Sequence, residues 1–429
     1  MRVLEYWRSR LRWGGVYLLV GVVWWAQVRP ATAAYSHHRH HHVAGHSGAP
    51  LYHAELLMDA DSGRILFAQN ERMQWPPASM TKMMLLAVAE DQIKAGRVSY
   101  SDPVQISERA ATTYGSHLGL HEGDVYPLGE LMKAALIRSA NDAAVAVAEK
   151  IAGSVEACVR LMNLKAQTLA MDDTYYGTVN GLPPRPDHDV DHTTALDLAI
   201  LARALIHNTG LLRWSSMEEA PFDGGRIILR NTNHLIGHLE GCDGLKTGFT
   251  IKAGFNLTAT VKRGDMRLIS VVLGAPSNPQ RFIQSSRLLD WGFDNFTKVH
   301  LVNRGQALPV QVQVESGPLI QPVAENDIAL VLRKSQMSNV KLEYSVPPMV
   351  QGPLTYGESL GQVIVRDGGD VVTEVDAVCP VAIGAAPATL DSAAAGRAAE
   401  NHETAAADLR PAQSAAAPAG VSPTSQENR

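Results

Sequence analysis

The run Pro76-Pro77-Ala78-Ser79-Met80-Thr81-Lys82-Met83-Met84 opens a helix and carries a serine and a lysine one turn apart. Proline suits a first helical turn, where its missing N–H is not needed and its φ is already set. The pattern predicts a helix from Ala78 to Lys94, with Gly96 just past its end. Met80, Met83, Met84 and Ala87 recur at helical spacing, which puts this helix deep in a core. In the first turn the backbone N–H of Ser79 has no intrahelical acceptor. Aided by the positive end of the helix dipole, it suits a developing oxyanion. Lys82 shares the helical face of the serine hydroxyl. It can serve as a base only when neutral, a state that burial and nearby cations would favour.

By itself Ser-x-x-Lys means little. A second copy, Ser338-Asn339-Val340-Lys341, sits in a strand-like stretch without a helix start or a Pro-Pro lead-in. Two further motifs give the first its meaning. Ser139-Ala140-Asn141 falls between two expected helices, where a turn can aim both side chains into a cleft. Ser139 could relay a proton, and Asn141 could both donate to and accept from a peptide backbone. The bland alternative for Asn141 is a helix N-cap. Lys246-Thr247-Gly248 opens a strand-like stretch: Lys246 offers a cation, Thr247 a hydroxyl, and Gly248 room for a second backbone. The N–H of Phe249 would be a second oxyanion donor. Arg281 either pairs with a free carboxylate or is a solvated surface charge. In this order the motifs supply a nucleophile, a base, a relay, a clamp and a cation, which is what opening an amide through a serine ester requires. Neither a Gly-x-Ser-x-Gly elbow nor a His-Glu-x-x-His pattern competes with them.

Around these motifs, Ala54 to Met58 and Arg64 to Phe67 read as paired strands about the turn Ala60-Asp61-Ser62-Gly63. Helices are expected over Leu128 to Arg138, Asp142 to Ala152 and Ser154 to Ala170, and from the capping box at Thr194 to about His207. Strands follow at Arg226 to Leu229, Gly254 to Val261 and Arg267 to Leu273, then a helix from Asn278-Pro279 to Trp291-Gly292. Strands at both ends of a helical block imply an α/β (α+β) sandwich, with helices covering an antiparallel sheet. Beyond it the alternation of Val310, Val312 and Val314 and short strands near 328–332, 340–344, 361–365 and 371–375 imply a small β-sandwich.

The 429 residues, 45% of them hydrophobic, suffice for two domains, and a net charge of -5 gives no sign of nucleic-acid binding. Arg2, Arg8, Arg10 and Arg12, the apolar run Gly14 to Ala26 and the small residues Ala31-Thr32-Ala33-Ala34 read as an export signal over residues 1–34. Cleavage is the favoured reading, and retention as an anchor stays open, with Trp24 and Trp25 suited to an interface. Residues 35–50 are a histidine-rich segment, read as a polar spacer rather than a metal site because no fixed acidic or cysteine ligand stands beside it. The catalytic region is assigned to 51–298, the β domain to 299–383 and an Ala/Pro-rich disordered tail to 384–429. Cys158, Cys242 and Cys379 are too sparse for a disulfide scaffold, and Cys242 reads as a small apolar residue.

From about 51 to 383 the chain resembles the low-molecular-mass penicillin-binding proteins, specifically the serine-type D-alanyl-D-alanine carboxypeptidases. The likeness includes Met58-Asp59-Ala60-Asp61-Ser62-Gly63, Asn180-Gly181-Leu182, Asp243-Gly244-Leu245-Lys246-Thr247-Gly248, Ala253-Gly254-Phe255-Asn256-Leu257 and Leu289-Asp290-Trp291-Gly292-Phe293. It implies the penicillin-binding and β-lactamase-like transpeptidase fold, the D-Ala-D-Ala end of the peptidoglycan stem peptide as substrate, and β-lactams as covalent inhibitors. Neither a metal nor a cofactor is expected. By position, Ser79 would be the nucleophile, Lys82 the base, Ser139 the relay and Asn141 the clamp, with Lys246, Thr247 and Arg281 facing the terminal carboxylate. Phe249 stands where some relatives carry histidine. The tail lacks the clear amphipathic helix through which many relatives dock on membranes, which leaves membrane association undecided.

Other readings fare worse. A class A β-lactamase needs a carboxylate-activated water, yet no Glu-x-x-Leu-Asn lies between Ser139 and Lys246. The motifs do not separate a D,D-endopeptidase cutting cross-links. A metal peptidase using Asp187-His188-Asp189-Val190-Asp191-His192 lacks helical ligand spacing. An idle wall-binding scaffold conflicts with an intact motif set.

Overall fold

The computed structural model describes residues 52–183 and 191–384. The leader, the histidine-rich spacer, the tail from 385 onward and residues 187–190 of the acidic-histidine run lie outside the described residues.

A five-stranded sheet forms the centre. β1 (Ala54–Asp59) and β2 (Ile65–Gln69) pair antiparallel around a turn whose Gly63 holds φ 77. The Asp59 carboxylate accepts the Ser62 N–H at 2.9 Å and fixes that turn. β3 (Cys242–Thr250), β4 (Gly254–Arg263) and β5 (Met266–Ala275) complete the sheet in the order β2-β1-β5-β4-β3, antiparallel throughout. Among the described residues β3 is therefore an edge strand, with one row of backbone groups left for another partner.

Helices cover both faces. α1 (Thr81–Lys94) follows a 3-10 turn at Ala78–Met80 and is buried on all sides from Thr81 to Glu90. Around it pack α2 (Leu128–Ile137), α3 (Asn141–Ala152), α4 (Val155–Thr168) and α5 (Ala195–Asn208). Ser154 and Thr194 cap α4 and α5 by accepting the N–H of Ala157 and Asp197, and Gly153 ends α3 at φ 77. These helices bury Leu56, Met58, Ile269, Val271 and Leu273 on one sheet face. On the other, α6 (Asn278–Asn295) buries Leu57, Leu257, Ala259, Val261 and Leu268 under Phe282, Leu288 and Leu289. Three layers result: helices, antiparallel sheet, helix. Among the described residues no helix is long and apolar enough to cross a membrane.

The chain then passes straight from Asn295 into β6 (Phe296–Val302), which pairs with β7 (Ile328–Arg333). The boundary read near 298/299 falls inside this strand, because no Gly or Pro signal marks the change from helix to strand. β8 (Val340–Ser345), β9 (Ser359–Asp367) and β10 (Asp370–Val378) form an antiparallel sheet with Val323–Ala324 at its far edge, and three short strands form another. Two clusters fill this domain, one including Leu330, Val363 and Val365, the other Val312, Leu360 and Cys379.

Several local readings shift. The helix expected to begin at Ala78 turns α-helical only at Thr81. The strand around Lys246 starts four residues earlier, at Cys242, hidden by Asp243 and Gly244. Glu219–Phe222 pairs with Ile227–Arg230, and Pro221 masks that partner strand in the sequence. The second Ser-x-x-Lys copy has Ser338 in a 3-10 turn and Lys341 exposed on β8.

Gly241 gives the sheet a direct test. It holds φ 77, and a Cβ there would lie 2.2 Å from the Lys262 carbonyl oxygen. Gly241→Ala is expected to destabilise the protein by about 2–3 kcal/mol, strain and backbone clash together. A urea unfolding midpoint equal to wild type would refute this.

Candidate active site

Ser79 occupies the middle of the Ala78–Met80 turn, pressed from two sides. A Cβ on Gly181 would lie 1.8 Å from the Ala78 carbonyl oxygen, and one on Gly248 of β3 would lie 2.5 Å from that of Pro77. Only glycine admits both approaches. Asn256 of β4 holds the lead-in, its Nδ2 donating to the Pro76 carbonyl at 2.9 Å. Two non-glycine residues here take left-handed backbone, Ala78 at φ 50 and Ser139 at φ 65. Each costs about 1–3 kcal/mol, and such strain concentrates at functional sites.

Lys82 is fully buried, and its Nζ donates to Ser79 Oγ at 3.1 Å and to the Asn180 carbonyl at 2.9 Å. Burial pushes its pKa down to about 7, while the carboxylates of Asp142 and Asp191 pull the other way. Desolvation is thus the leading cause, as the expectation of a buried lysine required, and Lys246 is the nearby cation whose repulsion Lys82 shares. Lys246 is buried too and held well below the ordinary lysine range, by burial and then by repulsion from Lys82 and Arg281. Its Nζ donates to the Thr247 carbonyl at 3.0 Å, and Thr247 Oγ1 donates to Thr232 Oγ1 at 2.8 Å.

Asn141 is the first residue of α3, and Ala140 takes the cap position, so the N-cap reading of Asn141 does not apply. Its Nδ2 donates to the Tyr114 carbonyl at 2.8 Å, and its Oδ1 is buried with no partner among the described residues. Ser139 Oγ and Arg281 Nε are likewise buried and unpartnered. Atoms in that condition cost about 1–3 kcal/mol each unless a ligand meets them. Arg281 is 7% exposed, which removes the surface-charge reading. Its Nη1 donates to the Gly248 and Asn256 carbonyls at 3.1 and 3.2 Å, and burial pushes its pKa to about 10, still charged at neutral pH. Phe249 is half exposed, its ring stacked on Phe255 at 4.3 Å.

Two carboxylates that the sequence reading left without a role support the cleft. Asp142 Oδ2 accepts the N–H groups of Leu118, Gly119 and Leu120 at 2.8, 3.0 and 3.2 Å. Asp191 accepts from Thr81 Oγ1, Thr178 Oγ1 and the N–H groups of Gly177 and Thr178 at 2.8–2.9 Å. Asp191 thus braces the residue beside Lys82 from within the run weighed as a metal site. Asp142 was visible as the residue after Asn141; the partners of Asp191 lie too far apart in sequence to be read. Burial pushes the Cys242 thiol up to about 11, away from reactivity.

A family profile described as D-alanyl-D-alanine carboxypeptidase matches residues 49–277, and one described as the penicillin-binding protein 5 C-terminal domain matches 296–385. D-alanyl-D-alanine carboxypeptidase DacF of Bacillus subtilis is 33% identical over 325 residues, 74% of this chain and 82% of its own length. DacC of Escherichia coli is 34% identical over 330 residues, 75% of this chain and 81% of its own. The crystal structure of penicillin binding protein 5 from Haemophilus influenzae superposes with a TM-score of 0.68 at 30% identity, covering 79% of this chain and 100% of that one.

The Lys82–Ser79 geometry carries a pH signature. Only the neutral amine accepts the serine proton, so acylation of Ser79 is expected to rise with pH through an inflection near 7. A rate independent of pH between 5.5 and 8.5, followed by stopped-flow, would exclude Lys82 as the base.

Proposed function

The chain belongs to the D-alanyl-D-alanine carboxypeptidase family and is a serine-type hydrolase; we propose that it removes the terminal D-alanine of peptidoglycan stem pentapeptides through an ester on Ser79. The observation that carries this reading is a fully buried Lys82 amine 3.1 Å from the Ser79 hydroxyl.

The substrate backbone lies along the free edge of β3, adding to the sheet as an extended strand does. Its carboxylate meets Thr247 and the cations of Lys246 and Arg281, and its amide meets Asn141. Neutral Lys82 takes the Ser79 proton as Oγ attacks the penultimate carbonyl, and the oxyanion rests on the N–H groups of Ser79 and Phe249. Ser139 passes the proton from Lys82 to the leaving amine, and the C–N bond breaks to free D-alanine. Water then attacks the ester with Lys82 again as base, releasing the shortened peptide and restoring Ser79. The buried, unpartnered oxygens of Ser139 and Asn141 support these two roles. β-Lactams acylate the same serine.

Export through the 1–34 leader places the enzyme in the periplasm or cell envelope, where this substrate lies. The catalytic domain ends with α6 at Asn295, and the β domain that begins with β6 at Phe296 supplies none of the residues given roles above.

Ser79→Ala should abolish both D-alanine release from a pentapeptide and the penicillin adduct seen by intact mass. A persisting adduct would mean another serine reacts, and cleavage of cross-linked dimers alone would favour an endopeptidase. Lys82→Ala should fold yet lose at least about 100-fold in acylation rate, the usual worth of a positioned base; near-normal acylation would remove it from the mechanism.

A further inference from the structure

We propose that Tyr114 is a positioning residue that ties the amide clamp Asn141 and the Leu182–Pro183 segment into one rigid wall of the cleft, an inference that rests on the carboxypeptidase reading above. Two bonds from one residue carry it. The Tyr114 main-chain carbonyl accepts Asn141 Nδ2 at 2.8 Å, which orients the amide so that Oδ1 is buried and unspent. The Tyr114 phenol donates to the Pro183 carbonyl at 2.6 Å. Between them, Gly115 lies so close that a Cβ would come within 2.8 Å of Asn141 Nδ2 and 3.2 Å of Leu182 Cδ1. The three segments 114–116, 141 and 182–183 therefore touch at one place, and the Asn141 N–H adds a bond to the Ser116 carbonyl at 2.7 Å.

The phenol bond is not needed to hold the base. Asn180, whose carbonyl receives Lys82, is followed by Gly181, whose N–H donates to Thr178 Oγ1 at 2.9 Å, and Thr178 is tied to Asp191. Nor is the ring needed for the core, since Tyr114 is 58% exposed. Losing the hydroxyl should therefore loosen the binding wall and leave the Ser79–Lys82 pair in place. Loss of preorganisation around a clamp weakens substrate binding rather than bond breaking.

The test is Tyr114→Phe, which keeps the ring and the main-chain bond to Asn141. Steady-state turnover of a D-Ala-D-Ala pentapeptide is expected to show KM raised roughly 3- to 10-fold, the worth of one neutral hydrogen bond, with kcat within about twofold. Tyr114→Ala should raise KM further. Hydrogen exchange by mass spectrometry should show a peptide covering 178–183 exchanging faster in Tyr114→Phe, with 78–94 unchanged. Unchanged exchange at 178–183, or faster exchange with unchanged KM, overturns the proposal, as does a fall in kcat matched by faster exchange across 78–94. Wild-type protein that frees no D-alanine would overturn the carboxypeptidase reading instead, and the exchange comparison would still decide whether the strap exists.

Discussion

Three backbones meet at Ala78, and the catalytic arrangement depends on that contact. The turn bearing Ser79 is held between Gly181 on one side and Gly248 of the sheet edge on the other, at separations that exclude any Cβ. Side-chain packing alone would leave such a turn free to shift by fractions of an ångström; backbone against backbone does not. The left-handed strain at Ala78 is sustained because α1 behind it is buried from Thr81 to Glu90 and cannot rotate to relieve it. Hydrophobic burial of one helix thereby sets the position of one hydroxyl.

The same burial creates the electrostatics. Lys82, Lys246 and Arg281 are all withdrawn from water, and among the described residues Asp142 and Asp191 oppose the loss of charge on Lys82. Burial penalises the charged Lys82 amine relative to water and brings its pKa from 10.5 to about 7. Lys246 and Arg281 repel one another, and among the described residues no carboxylate is bonded to either. In the mechanism proposed above, a ligand carboxylate supplies that charge and favours the charged forms of Lys246 and Arg281, while a pKa near 7 leaves part of Lys82 neutral for proton transfer. On that proposal one desolvated cluster separates two tasks, base and anion receptor, that free lysines would perform identically.

Much of this was legible from residues alone, for an identifiable reason. Motifs that combine a helix start, a lysine at i+3 and a glycine on a strand are local, and local geometry is what spacing encodes. The capping residues Ser154 and Thr194 and the helices they open were visible on the same ground. What was not legible is contact between distant segments. Asp191 bracing Thr81, and Asn256 holding Pro76, join residues more than a hundred positions apart. Burial as a cause of the Lys82 shift is legible in the sequence, but the carboxylates of Asp142 and Asp191 that oppose it are not. Strand Cys242–Thr250 was trimmed at its start because Asp and Gly weaken a strand signal that pairing with β4 overrides.

The β domain is joined to the catalytic sheet by more than its chain connection. α6 presents Arg281 beneath β3 in its first turn and ends where β6 begins, with no linker between. Trp291 near its end packs edge-on to Phe67 and Phe296, and the Arg333 guanidinium of β7 lies over both Trp291 and Phe296. Phe296 and Val331 share a core with Leu57 and Leu268 of the sheet, and Arg64 beside the first turn donates to the Val331 carbonyl at 3.1 Å. A hinge between the domains would have to open this apolar core and lift the end of the helix that carries Arg281. A buried aromatic contact of this kind resists opening far more than a solvated loop does.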